Sequence, residues 1–409
     1  CFCMKWLFCS MMYTDLDKDI TNTKNPKSIS GHKFQWNLID GLTKNHVDLE
    51  IFNTQRIRPF PYNKKLFVTE DNIKNVTWKG MNIRFINIPF LNYFSQYLSL
   101  KKILNRVINN NKNDKIVLLV FNTQFVQSKA VLSMKKRYPN IVTCNVVGDL
   151  YGKYGLKVTS TGFQKVWQSF VEKKQESMQT EFEKYVILTP MMQQALAIKS
   201  QDCTVVEGFY EKSKVDFEHI KEIVEENPKI VFYAGSLKLA YGIEHLLKAF
   251  QLIKHANYSL YIAGSGDGEE LVKKYSENDK RVKLLGFLSP NDVKKYQKKA
   301  TVLVSPRMSN ELFVKYSFPS KTFECLASGK PYIAHKLPCE PPEYSQYIQY
   351  PKDESDSALS EEIIRICEMN PHDRYLIAKK AYDFIINEKN TKVMCRRIVD
   401  LIESSFEVV

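Results

Sequence analysis

Apolar residues fall along this chain in two alternating rhythms. Short runs of Val, Ile, Leu and Phe without polar interruption alternate with stretches whose apolar residues recur every three or four positions. The first pattern belongs to strands covered on both faces, the second to amphipathic helices, and their alternation points to parallel α/β architecture. Strands are predicted over 5–9, 47–52, 82–88, 115–121, 141–147 and 185–189, then over 230–234, 259–263, 282–285, 301–305 and 331–334. Helices are predicted over 32–43, where Phe34, Leu38 and Leu42 share a face, and over 243–253 and 291–299. After Asp353 the pattern is helical throughout, over 358–369, 373–387 and 393–404.

The strand series restarts near residue 205, and the segment 205–228, with its acidic run 222–226, reads as a connection. A chain of 409 residues also exceeds what one ordinary core holds. Two Rossmann-like domains are therefore expected, over 1–205 and 206–409, face to face, with the last helix placed to cross back onto the first. Ligands of such sheets bind beyond the carboxyl ends of the strands, here expected in the cleft between the domains.

Composition narrows the class. With 44% hydrophobic and 25% charged residues the chain is globular. No run of eighteen apolar residues occurs, and the apolar opening 1–13 lacks a basic flank, so it reads as a first buried strand. Nine cysteines without ligand spacing fit a reduced, cytoplasmic setting. Residues 1–205 hold 29 Lys and Arg against 15 Asp and Glu, whereas residues 206–409 hold 30 of each. The whole basic excess lies in the first half, which suits an anionic ligand or surface, or reflects a lysine-rich background.

The densest chemical signal is the stretch 305–335. A strand ends at Ser305, a loop carries Arg307, and Pro319-Ser320-Lys321 opens a helix that holds Glu324. Ser320 is the expected N-cap, and the helix N-terminus with Lys321 and Arg307 suits a phosphate. Glu324 can accept hydrogen bonds from ribose hydroxyls. Taken alone, this motif is better read as an ordinary capped helix.

Its surroundings come in a particular order: Tyr233-Ala234-Gly235-Ser236-Leu237, Tyr241-Gly242-Ile243, Tyr261-Ile262-Ala263-Gly264-Ser265-Gly266, Val282-Lys283-Leu284-Leu285-Gly286-Phe287, Ser305-Pro306-Arg307, and Phe323-Glu324-Cys325-Leu326-Ala327-Ser328-Gly329. In this the chain resembles the group 1 (family 4) glycosyltransferases of the GT-B fold, most fully in its second half. The segment Tyr-Ser-Phe-Pro-Ser-Lys resembles the capsule and surface-polysaccharide members. The resemblance implies that Gly235 and Ser236 let the backbone approach a donor diphosphate. It implies that Gly286 and Phe287 present main-chain groups to the base, and that Glu324 binds the ribose. Retention of anomeric configuration and independence of metal are implied too.

Two departures stand out. Tyr316 occupies the place of the first glutamate of the family's Glu-x7-Glu motif, and Ser236 and Tyr241 replace its basic pair. The phosphate charge must then come from Arg307 and Lys321, with Lys238 third. In the first half, the family's glycine loop falls on Ser28 to His32, which includes Gly31; a plain helix start fits equally. Asp149 follows a strand and is a candidate for contacting or deprotonating the acceptor hydroxyl, or a simple cap.

The remaining motifs carry less. Asp15-x-Asp17 imitates a metal motif but follows a strand in a polar loop, and no metal is expected. Gly264 to Gly268 lacks the third glycine of a dinucleotide fingerprint. His335 follows a strand and either lines the cleft or serves structure, and no nucleic-acid signature is present. The expected activity is transfer of a sugar from a nucleotide diphosphate to a saccharide or lipid-linked acceptor. A sugar-nucleotide epimerase and a basic binding module are the alternatives. An uncharged, aromatic-rich stretch over 85–100 precedes Lys101, Lys102 and Arg106, with Leu100, Ile103, Leu104, Val107 and Ile108 on one helical face. That composition predicts reversible docking on the inner face of an anionic membrane, the alternative being a helix that packs its apolar face into the domain core with its lysines solvated.

Overall fold

A computed structural model describes residues 4–13, 29–73, 77–152, 162–211 and 227–406. By its contacts the chain divides into two units, Cys1–Phe209 with Thr391–Val409, and Tyr210–Asn390. The division thus falls at 209/210 rather than 205/206, and the last helix belongs to the first unit.

The first unit carries strands β1 (Met4–Ser10), β2 (Asp48–Asn53), β3 (Phe67–Val68), β4 (Asp71–Asn72), β5 (Lys79–Asn82), β6 (Phe85–Ile86), β7 (Lys115–Phe121), β8 (Val142–Val147), β9 (Lys184–Ile187) and β10 (Cys203–Val205). Eight of them form one sheet in the order β10-β9-β8-β7-β1-β2-β5-β4, parallel except at β4. The predicted strand over 82–88 is split. Asn82 ends β5, where its side chain accepts from Asn53 at 2.8 Å and donates to Asp71 at 3.2 Å. The chain then leaves the sheet, and β6 pairs antiparallel with β3.

The second unit holds β11 (Lys229–Ala234), β12 (Tyr258–Ala263), β13 (Val282–Gly286), β14 (Val302–Ser305) and β15 (Tyr332–Ala334). They form an all-parallel sheet, β13-β12-β11-β14-β15. Alternation along β11 explains why both faces are covered. Val231 and Tyr233 enter one apolar cluster with the helices Ile243–Leu252 and Asp356–Glu368. Phe232 enters the other, with Phe323 and Phe384. In both sheets the order of strands reverses once, between β1 and β7 and between β11 and β14. These are the switch points at which doubly wound folds bind ligands.

The final helix, Thr391–Glu403, buries Met394, Cys395, Ile398, Val399 and Ile402 in the core of the first unit, beside Leu38 and Leu42. Gly41 makes this possible, because a Cβ there would lie within bonding distance of Cys395 Sγ and the Thr391 carbonyl.

The helix over Leu91–Asn110 corrects an expectation. Leu100, Ile103, Leu104 and Ile108, proposed from sequence as a membrane-facing stripe, are all buried within the domain. The exposed apolar side chains lie elsewhere, at Leu91, Phe94 and Leu98 of that helix and at Phe60, Tyr62 and Phe67. No helix among the described residues is long and apolar enough to cross a membrane. No disulfide joins the described cysteines.

Candidate functional site

At the carboxyl end of the second sheet, three loops are stitched together through their backbones. Gly235 donates to Ala263 O at 3.0 Å, Leu237 to Ser265 O at 2.9 Å, and Gly264 to Gly286 O at 2.8 Å. Gly264 has φ 143°, and a Cβ on it would collide with the carbonyl of Gly235, so only glycine permits this approach. The Tyr233 hydroxyl donates to Ser236 O at 2.8 Å, and it occupies the space beside Gly235 that a Cβ would need.

Arg307 leaves β14 beside this platform. Its guanidinium lies 4.3 Å from the centre of the Tyr241 ring and 5.5 Å from that of Phe313. Lys238 Nζ reaches the same Tyr241 ring at 5.6 Å. Neither cation has a carboxylate partner among the described residues. Tyr241 thus stands where the resembled family has a lysine, and it gathers two cations instead of supplying one. Burial pushes the Tyr233 hydroxyl pKa up, against the pull of the Arg307 charge.

Lys321 and Glu324 occupy the first turn of the helix Lys321–Leu326, half-exposed and 3.7 Å apart. Ser320 does not cap it. Its backbone is already helical, at φ −55° and ψ −25°, and its side chain makes no capping bond. The entry is made instead by a turn in which Thr322 N–H donates to Pro319 O. Among the described residues Lys321 pairs with Glu324, and no contact joins it to Arg307. Gly286, at φ 67° with open space beside its Cα, and Phe287, 82% exposed, end β13 at the same edge.

In the first unit, Gly31 lies inside the first turn of the helix Ile29–Lys44 rather than in a loop, against the Phe121 ring. Asp149 is exposed just beyond β8 and exchanges two hydrogen bonds with Asn122, of 2.9 and 2.7 Å. Asn122 and Thr123 both have positive φ, 54° and 44°. Thr123 is locked there by Asn145 and by Gln175, which donates to its carbonyl at 3.1 Å. Two strained non-glycine residues in succession are costly, and such strain concentrates at functional sites. Ser28 and the Asp15-x-Asp17 motif lie outside the described residues. Among the described residues no group of three His, Cys, Asp or Glu side chains could hold a metal ion.

Sequence reasoning missed a polar chain at this end of the second sheet. His245 Nδ1 meets Asp356 Oδ1 at 2.5 Å, and His245 Nε2 meets His335 Nε2 at 2.9 Å. Burial and the nearby His245 lower the pKa of His335 to about 4. Only His335 had been singled out, because partners 90 and 111 residues apart leave no spacing to read.

Both sheets are doubly wound, and Arg307 and Lys238 follow the two strands that flank the switch point of the second. Residues 215–383 match the family model of the glycosyl transferases group 1. Over 119 residues the chain is 32% identical to an uncharacterized glycosyltransferase of Methanocaldococcus jannaschii, a stretch covering 28% of this chain and 29% of the relative's length. Among solved structures it resembles the lipopolysaccharide outer core galactosyltransferase WaaB, with TM-score 0.56, 14% identity, and 98% and 99% of the two chains covered. It also resembles the pneumococcal O-GlcNAc transferase GtfA, solved with UDP and GlcNAc, with TM-score 0.52, 10% identity, and 98% and 99% covered. These likenesses over nearly the whole chain show the fold, two Rossmann-like domains of the GT-B kind.

Proposed function

We propose that the protein is a glycosyltransferase that moves a sugar from a nucleoside diphosphate to an acceptor hydroxyl. The observation that carries this reading is the pair of cations, Arg307 and Lys238, gathered on Tyr241 without carboxylate partners. They stand at the carboxyl end of the sheet, inside the segment that matches the group 1 family model. When the bond from the sugar's anomeric carbon to the phosphate oxygen breaks, charge develops on the departing diphosphate. Fixed cations in place beforehand stabilise that charge without reorganisation. Glu324 is our candidate for the ribose hydroxyls. Asp149, held by Asn122, is our candidate for orienting the acceptor hydroxyl, whose oxygen bonds to the anomeric carbon as its proton passes to the departing diphosphate.

Retention, independence of metal and a saccharide or lipid-linked acceptor belong to the same proposal, as does peripheral attachment at a cytoplasmic membrane face. Incubation with a panel of nucleotide sugars and with lipid-linked and soluble acceptors tests it. Transfer to an acceptor supports the reading; conversion of the donor sugar with no acceptor present would establish an epimerase instead.

A further inference from the structure

Asp356, His245 and His335 have no role in the reading above, yet they form a continuous chain. Two imidazole nitrogens 2.9 Å apart need one proton between them, so one ring donates and the other accepts. A carboxylate at His245 Nδ1 keeps a proton on that nitrogen. In the neutral pair His245 Nε2 is then the acceptor and His335 Nε2–H the donor. That leaves His335 Nδ1 as a bare lone pair, and among the described residues it has no hydrogen-bond partner. Both rings are buried, 8% and 2% exposed.

The chain ends where Arg307 begins. Ser305 of β14 is in register with Ala334 of β15, so Pro306-Arg307 and His335 leave the sheet side by side. Gly242, at φ 80°, packs so closely on the Pro306 carbonyl that no Cβ fits, and His245 is in the first turn of the helix that follows. No side chain caps that helix, so its first N–H groups add positive potential at the same end.

We propose that His335 is a diphosphate-binding residue that takes up a proton from solvent when the ligand binds, with His245 and Asp356 as positioning residues. The proposal rests on the nucleoside diphosphate reading. The proton adds to His335 Nδ1 and no other bond is made or broken in the protein. The resulting imidazolium donates to a phosphate oxygen, and the ligand's charge offsets the penalty that burial imposes. The ionisable groups around the pair are Asp356 on its helix, Asp353 and Glu354 on the preceding loop, and Glu244 and Lys248 on the outer side of the His245 helix. Asp353 and Glu354 favour the imidazolium.

Calorimetric titration with UDP at pH 6.5, in two buffers of different ionisation heat, measures the proton uptake. Wild type should take up part of a proton, and His335→Gln should take up none while binding UDP about tenfold or more weakly. Imidazole NMR shifts of wild-type His335 with and without UDP give the same answer without a variant. Uptake retained by His335→Gln, or UDP binding with no buffer dependence and unmoved shifts, overturns the proposal and leaves the donor reading standing. If neither UDP nor ADP, GDP or CDP binds the wild type, the donor reading falls and this inference with it.

Discussion

Arg307 illustrates how a cation is held without being neutralised. Stacking on Tyr241 fixes the plane of its guanidinium but consumes none of its charge. Arg307→Ala should therefore weaken nucleoside diphosphate binding by about 1.5–3 kcal/mol, measurable by calorimetry, with little change in melting temperature. Arg307→Lys should recover only part of the loss, because an ammonium does not offer the same planar fork. Glu324→Gln should bind nucleotide better than Glu324→Ala and worse than wild type, since an amide offers a ribose diol one acceptor oxygen instead of two. Equal affinity in all three would reduce Glu324 to the partner of Lys321. Glu340 carries a separate signature. Burial raises its pKa from 4.5 to about 7, against the Tyr350 hydroxyl, which donates to it at 3.0 Å. The folded state thus binds this proton more tightly, and the associated stability, full below pH 4.5, is lost as pH rises through 7. Glu340→Gln should melt higher than wild type at pH 8, with the gap narrowing at pH 5. Arg307, Lys321 and Glu324 stand out as candidates in the sequence because one short stretch carries all three. His245 and Asp356 were not, because a buried contact between distant residues leaves no local pattern.

At the level of elements, continuous apolar runs proved to be central parallel strands, as covering both faces requires. The strand over 82–88 failed as a single element because Asn82 turns into a buried amide network with Asn53, which an apolar count does not register. The apolar face from Leu100 to Ile108, which the sequence offers to a membrane or to the core, lies in the helix Leu91–Asn110 and is covered by the domain. Amphipathicity reports that a face is covered, and leaves open by what. Ser320 shows the same limit in miniature, since a capping residue type does not ensure capping geometry. A close contact between elements sets Gly41 against Cys395 and the Thr391 carbonyl. Gly41→Ala should cost about 1–3 kcal/mol through overpacking, seen as a lower denaturant midpoint. Unchanged stability would mean that the final helix is free to shift.

Over the whole molecule, the basic excess of residues 1–205 keeps a surface role open even though the predicted stripe is buried. Phe67, Phe94 and Tyr62 are 68%, 63% and 76% exposed in that same half. Sedimentation with anionic vesicles should show weak binding that falls with salt and weakens in a Phe67→Ala, Phe94→Ala double variant. Indifference to anionic vesicles at low salt would leave only soluble acceptors to consider. The return of the final helix has a further consequence, for synthesis. Cys395 Sγ reaches Leu38 O across 357 positions of sequence. At ribosomal rates the two are made roughly tens of seconds apart. Throughout that interval the groove around Leu38, Leu42 and Gly41 waits empty on a half-built domain. The second unit, Tyr210–Asn390, is synthesised in full before the first is complete.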